Sequence, residues 1–164
     1  MRQVIVGVMG PGEQATATDR QLAYELGQRV AQQGWILLTG GRNVGVMDAA
    51  SRGAKQAQGL TIGILPDSKT TDVSAAVDIV IPTGMGNARN VINILSSHVV
   101  IACGMGSGTA SEVALALKAQ KPVILLNVSA TCAAFFQELS VYAVVAQNPE
   151  AAIELAQQAI SASL

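Results

Sequence analysis

The groups in this chain best placed to do chemistry are a run of glycines with hydroxyls, one arginine and one glutamate. Cys103-Gly104-Met105-Gly106-Ser107-Gly108-Thr109-Ala110-Ser111-Glu112 follows the apolar run Val99-Val100-Ile101-Ala102 and precedes the helical spacing of Val113, Ala114 and Leu117. A strand, a glycine-rich turn and a helix start in that order present unpaired backbone N–H groups at the positive end of a helix, where an anion is stabilised. Glycine lets the anion come close to the backbone. The residues from Gly104 to Thr109 are therefore predicted to bind a phosphate or a phosphate-bearing molecule. A second reading is structural: Thr109 and Glu112 have the spacing of a capping box, in which two side chains close off a helix start.

Few other charged groups sit near loops. Arg89 lies in Gly84-Met85-Gly86-Asn87-Ala88-Arg89-Asn90, at the start of a predicted helix. A cation there opposes the helix dipole, so it needs an anionic partner, either a bound phosphate or Glu112. Arg42, on Gly40-Gly41-Arg42-Asn43-Val44-Gly45, either reaches a phosphate or points to solvent. Asp48 near the next helix start is electrostatically content there and reads as structural. His98, the sole histidine, is expected to cap or to serve the surface. Cys103 and Cys132 form no Cys-x-x-Cys pair, which predicts buried free thiols in a reducing compartment and no metal held by protein side chains.

Positioning these groups requires a regular scaffold. Val4–Val8, Trp35–Thr39, Leu60–Leu65, Asp78–Pro82, Val99–Cys103, Pro122–Leu126 and Val141–Val145 read as apolar strands. Between them, Asp19–Gln32, Val46–Gln58, a helix ending at Ser97, Thr109–Gln120 and a short segment holding Phe135 and Phe136 have helical spacing. Asn148, Pro149 and Glu150 open a terminal helix as cap, first-turn proline and first-turn acid. Pro66–Ala76 is polar and helix-poor, a loop able to border a ligand. Strands that alternate with helices and stay apolar predict an α/β fold: a doubly wound, Rossmann-like parallel sheet with helices on both faces, as one ligand-binding domain over 1–164.

In such a sheet every loop that follows a strand emerges on one edge. Four of those loops carry glycine: Gly10-Pro11-Gly12, Gly40 to Gly45, Gly84 to Gly86 and Gly104 to Gly108. Ligands bind at that edge where the strand order reverses, so Gly10, Gly12, Gly40, Gly41, Gly45, Gly84, Met85, Gly86, Asn87 and Asn90 join the predicted site. Absences narrow the ligand. No Gly-Lys-Ser/Thr closes any loop, the first turn is not Gly-x-Gly-x-x-Gly, and the second strand ends in Thr39-Gly40-Gly41 rather than an acid. A P-loop nucleotidase and a nicotinamide or flavin dehydrogenase are disfavoured. Gly106-Ser107-Gly108 is too short for a hydrolase nucleophile elbow.

A net charge of −1 gives no electrostatic case for nucleic acid or an anionic membrane as partner, and 3% aromatic residues leave little for stacking bases. Half the residues are apolar against 13% charged, which predicts a homo-oligomer, dimer or tetramer, that hides part of the surface. The amino-terminal apolar run is too short for a signal peptide and no run is long enough to span a bilayer, so a cytoplasmic location is expected.

Gly40-Gly41 to Gly45-Val46-Met47, Gly84 to Asn90, and Gly106-Ser107-Gly108-Thr109 to Glu112 together resemble the Lonely Guy superfamily over nearly the whole chain. The resemblance implies a Rossmann-like fold. Its enzymes hydrolyse cytokinin riboside monophosphates to free base and ribose phosphate. The match is nearer to the branch of molybdenum cofactor carrier proteins, which bind molybdopterin through its phosphate. The enzymes carry Pro-Gly-Gly-x-Gly-Thr-x-x-Glu, where this chain has Gly104 and Met105 at the first two positions. They also carry Met-His-x-Arg-Lys, and Met85 to Asn90 lacks that histidine and lysine. By resemblance, the chain is expected to carry or protect the molybdenum cofactor as cargo and to pass it to a molybdoenzyme. The alternatives are a nucleoside 5'-monophosphate phosphoribohydrolase, with Arg89 and Glu112 catalytic, and a nucleotide sensor.

Overall fold

The computed structural model describes residues 3–163. Strands β1 (Ile5–Met9), β2 (Ile36–Thr39), β3 (Thr61–Leu65), β4 (Ile79–Pro82), β5 (Val99–Cys103), β6 (Val123–Leu126) and β7 (Ala143–Ala146) form one sheet. Helices α1 (Ala17–Gln32), α2 (Gly45–Gln56), α3 (Asn90–Ser96), α4 (Ser107–Lys118), α5 (Ala130–Leu139) and α6 (Pro149–Ser163) cover it. All pairings are parallel in the order β4-β3-β2-β1-β5-β6-β7, so the order reverses between β1 and β5. The α/β, doubly wound architecture predicted above is the one observed.

Alternation along β5 shows why central strands are apolar at every position. Val99, Ile101 and Cys103 enter a core with Val6, Leu26, Val30, Ala50 and Ala156, beneath α1, α2 and α6. Val100 and Ala102 enter the opposite core with Met9, Ile94, Val113 and Phe136, beneath α3, α4 and α5. The strand edge β4 departs from the expectation of cover on both faces: Ile79 and Ile81 are exposed. The β3–β4 connection is a loop rather than a helix, so that edge of the sheet has less cover.

Helix α1 begins at Ala17, ahead of the expected Asp19, because Thr16 caps it. The Thr16 hydroxyl accepts from the Asp19 N–H at 3.0 Å and the Asp19 carboxylate accepts from the Thr16 N–H at 2.9 Å, a complete capping box. Helices α1 and α2 pack closely through two glycines. A Cβ at Gly27 would overlap the Ala50 carbonyl, and one at Gly53 that of Tyr24.

Candidate functional site

At the point of reversal β1 and β5 end side by side and their following loops part. One runs Gly10-Pro11-Gly12-Glu13, the other Gly104-Met105-Gly106 into α4. The hollow between them has a volume of about 320 Å³. Gly10 and Gly12 line it from the β1 loop, Gly40 and Arg42 from the β2 loop, and Asn87, Arg89 and Asn90 from the approach to α3. Gly106, Ser107, Gly108, Thr109 and Glu112 complete it from the head of α4. Residues distant in sequence, from all four glycine loops but with the third represented by its Asn87–Asn90 end, thus converge on one crevice.

The capping-box reading of Thr109 and Glu112 fails. Helix α4 starts at Ser107 with Gly106 as its extended cap residue and no side-chain cap. Thr109 therefore sits inside the first turn, buried, and its hydroxyl has no hydrogen-bond partner among the described residues. No group among the described residues accepts from the N–H of Ser107, Gly108 or Thr109. These are the orphan donors that make a helix start attractive to an anion. A further chain of bonds braces this turn: the Asn90 amide donates to the Ser111 hydroxyl at 3.0 Å, which donates to the Gly108 carbonyl at 2.7 Å.

Arg89 ends a short 3-10 turn, Gly86–Arg89, that leads into α3, and its side chain is buried. The guanidinium donates to Asn90 Oδ1 at 2.7 Å and to the Gly40 carbonyl at 3.3 Å, and stands 3.8 Å from Glu112 Oε1. Its Nε has no hydrogen-bond partner among the described residues. Glu112 is held by the Asn93 amide at 3.0 Å. Burial pushes the Glu112 carboxyl above its ordinary value, against the Asn93 bond and the Arg89 charge. Burial also weakens the Arg89 cation, and the nearby positive charge of Arg42 works in the same direction, opposed by Glu112 and Asp67. A loose buried pair whose arginine keeps an unpartnered donor leaves hydrogen-bonding capacity unused beside the hollow.

Arg42 meets solvent and hollow at once, paired to Glu13 at 2.7 Å. Several other residues expected at the site lie outside the hollow. Gly41 abuts Gly63, Gly45 abuts the Pro11 and Gly12 carbonyls, and Gly104 lies against the Asp19 carboxylate, so none of these three lines the hollow. The Gly104 N–H is also committed, to the Leu126 carbonyl at 2.9 Å. Met105 packs toward the core beneath α4, while Met85 is exposed. Gly84 and Gly86 border a neighbouring hollow with Asp67 and Lys69, where the polar β3–β4 loop runs. Asp48 has the structural role expected, accepting from Ser74 at 2.6 Å and pairing with Arg52 at 3.2 Å. His98 accepts from the Ile5 N–H at 3.0 Å.

Sequence reasoning passed over Met9, Pro11, Glu13, Gln14 and Met47, which also line the hollow. Adjacency was the available signal for Pro11, Glu13 and Met47, since each lies within or beside a glycine loop already singled out. Both cysteines are free, Cys103 buried and Cys132 only half-buried, so the expectation of two buried thiols holds for the first alone. Burial, with a smaller contribution from Asp19, pushes the Cys103 thiol up to about 12, where it is inert. Among the described residues, no three His, Cys, Asp or Glu side chains gather as a metal site, and no helix is long and apolar enough to cross a membrane.

Comparison with known proteins agrees with the sequence resemblance. The model of the SLOG cluster4 family matches residues 3–153. The molybdenum cofactor binding protein of the phototrophic bacterium Rippkaea orientalis superposes with a TM-score of 0.96 at 64% identity, covering 98% of this chain and 99% of that one. The Moco carrier protein of Chlamydomonas reinhardtii gives 0.94 at 50% identity, again over 98% and 99%. Similarity to the cytokinin riboside 5'-monophosphate phosphoribohydrolase of Mycobacterium tuberculosis is 28% over 95 residues, 56% of this chain and 50% of that protein.

Proposed function

The chain belongs to the SLOG cluster4 family, and we propose that it binds the molybdenum cofactor and carries or protects it, as a single ligand-binding domain. The observation that carries this reading is the head of α4, where Ser107, Gly108 and Thr109 line the crevice of strand reversal and their N–H groups have no acceptor among the described residues. In this proposal the phosphate of molybdopterin sits on Gly106 to Thr109, where the helix dipole and the N–H groups meet its charge. Arg89, fixed by Asn90 and Gly40, supplies a cation that cannot swing away. Asn87 and Asn90 border the part of the ligand beyond the phosphate, with Glu112 at the floor.

Likeness to the two cofactor-binding proteins over 98% of the chain supports cargo rather than substrate, against partial similarity to the hydrolase. The proposal extends to a homo-oligomer in the cytoplasm that passes its cargo to a molybdoenzyme. Exposed Leu95, Phe135, Leu139 and Val141 supply apolar surface for the self-association.

Protein purified from a host that makes the cofactor, then oxidised, is expected to release a fluorescent pterin. Gly108→Asp, which sets a carboxylate where the phosphate belongs, is expected to abolish it. Turnover of nucleoside monophosphates that is lost in Glu112→Ala would instead establish the hydrolase. Nucleotide binding without turnover, and without pterin, would establish a sensor.

A further inference from the structure

We infer that Glu13 is a built-in competitor for the bound anion: its carboxylate occupies Arg42, and a phosphate-bearing ligand takes the guanidinium by displacing it. This rests on the anion-binding reading of the hollow and adds what sets the affinity there.

The two arginines of the hollow are held in opposite ways. Arg89 is buried and fixed by hydrogen bonds to Asn90 and Gly40. Arg42 has a side chain 32% exposed, and among the described residues its guanidinium has one partner, Glu13 at 2.7 Å. The Glu13 side chain is 68% exposed, and its carboxylate is bonded to its own backbone N–H as well as to Arg42. Both residues line the same hollow from different loops, β1 to one side and β2 to the other.

The backbone under Arg42 does not have to move for this exchange. Arg42 forms a β-bridge with Val73, and the Asn43 N–H donates to the Asp72 carbonyl at 2.8 Å. Only the side chain changes partner. An exposed ion pair of this kind contributes about 0–1 kcal/mol, so it is easily broken. A phosphate offers the guanidinium more charge and a two-pronged bond, so the exchange runs forward when ligand arrives. When ligand leaves, the carboxylate returns and keeps the guanidinium from holding it. A protein that must give up its cargo gains from a competitor of this strength.

The test is titration calorimetry with inorganic phosphate as the probe, on the parent, Glu13→Gln, Arg42→Gln and the double variant, each checked for an unchanged melting temperature. Glu13→Gln is expected to tighten phosphate binding by about threefold to fivefold, the range of an exposed pair. Arg42→Gln is expected to weaken it, and in that background Glu13→Gln is expected to change nothing. Unchanged or weaker binding in Glu13→Gln overturns the inference. So does an equal gain with and without Arg42, which would mean a general field rather than competition for one guanidinium. Phosphate binding by the parent that Gly108→Asp removes upholds the anion site whatever Glu13→Gln does. Absence of phosphate binding in every protein overturns both.

Discussion

Glycine does opposite work at the α1–α2 contact and at the head of α4. Between the two helices, Gly27 and Gly53 each face a carbonyl of the partner helix, and a methyl group in either place would strike backbone. At Gly108 an added Cβ would meet nothing within 4 Å. The first region is closed, with each glycine against the backbone of the partner helix. The second leaves N–H donors, the Thr109 hydroxyl and Arg89 Nε unclaimed. A protein interior rarely leaves such groups alone, since each costs free energy unless something binds there. Space beside Gly108 therefore sets it apart from Gly27 and Gly53, which the residue type alone does not.

The sharpest test of that contrast is a pair of substitutions. Gly53→Val forces α1 and α2 apart and is expected to cost about 3 kcal/mol. For a chain of this size that lowers the melting temperature by roughly 6–12 °C, with phosphate affinity of the folded protein unchanged. Gly108→Asp is expected to leave stability within about 0.5 kcal/mol, because an acid in the first turn suits the helix dipole. It is expected to weaken phosphate binding at least about tenfold, through repulsion and lost space. If both variants lost stability and binding together, the two regions would not be separable in this way.

Much of this division was legible beforehand. Apolar strands, helix spacing and the glycine loops after strands fixed which edge carries a site, because those signals are local and the parallel topology does the rest. Asn148 was read correctly as a cap, and its side-chain Oδ1 accepts from the Ala151 N–H at 2.8 Å. What escaped was long-range. Nothing local shows that Gly104 backs onto Asp19 or that Gly41 backs onto Gly63, so both read as ligand glycines. Thr109 and Glu112 matched a capping box in spacing, yet the helix begins two residues earlier and turns both inward. Glu13 carried no motif. Its part in the hollow depends on Arg42 arriving from 29 residues away.

Burial also gives the open region a pH signature that the closed one lacks. The Glu112 carboxyl titrates above its ordinary value of 4.5 in the folded protein. The folded state thus keeps a proton that the unfolded chain has released, and this contribution to stability is lost as pH rises past 4.5 toward the folded value. Glu13 and Asp78, lowered in the folded state, contribute in the opposite sense, so the total slope does not isolate Glu112. The difference between Glu112→Gln and the parent does. Chemical denaturation at pH 4 and pH 7 is expected to move that difference in the variant's favour at the higher pH. A difference constant between the two would place the carboxyl in an ordinary environment.

The smallest effect discriminates best, because two ion pairs of equal length stand in different places, one at the hollow and one away from it. Lys55 and Asp78 stand 2.7 Å apart, as do Arg42 and Glu13. Asp78 also accepts from the Thr61 N–H at 3.0 Å, so its pair braces the start of β3 away from the hollow. Lys55→Gln is expected to cost about 0.5 kcal/mol, or about 1–2 °C in melting temperature, and to leave phosphate affinity untouched. Glu13→Gln has a similarly small effect on stability but alters affinity. Were Lys55→Gln to tighten phosphate binding as Glu13→Gln does, net charge alone would govern the hollow, and the position of a carboxylate beside Arg42 would not matter.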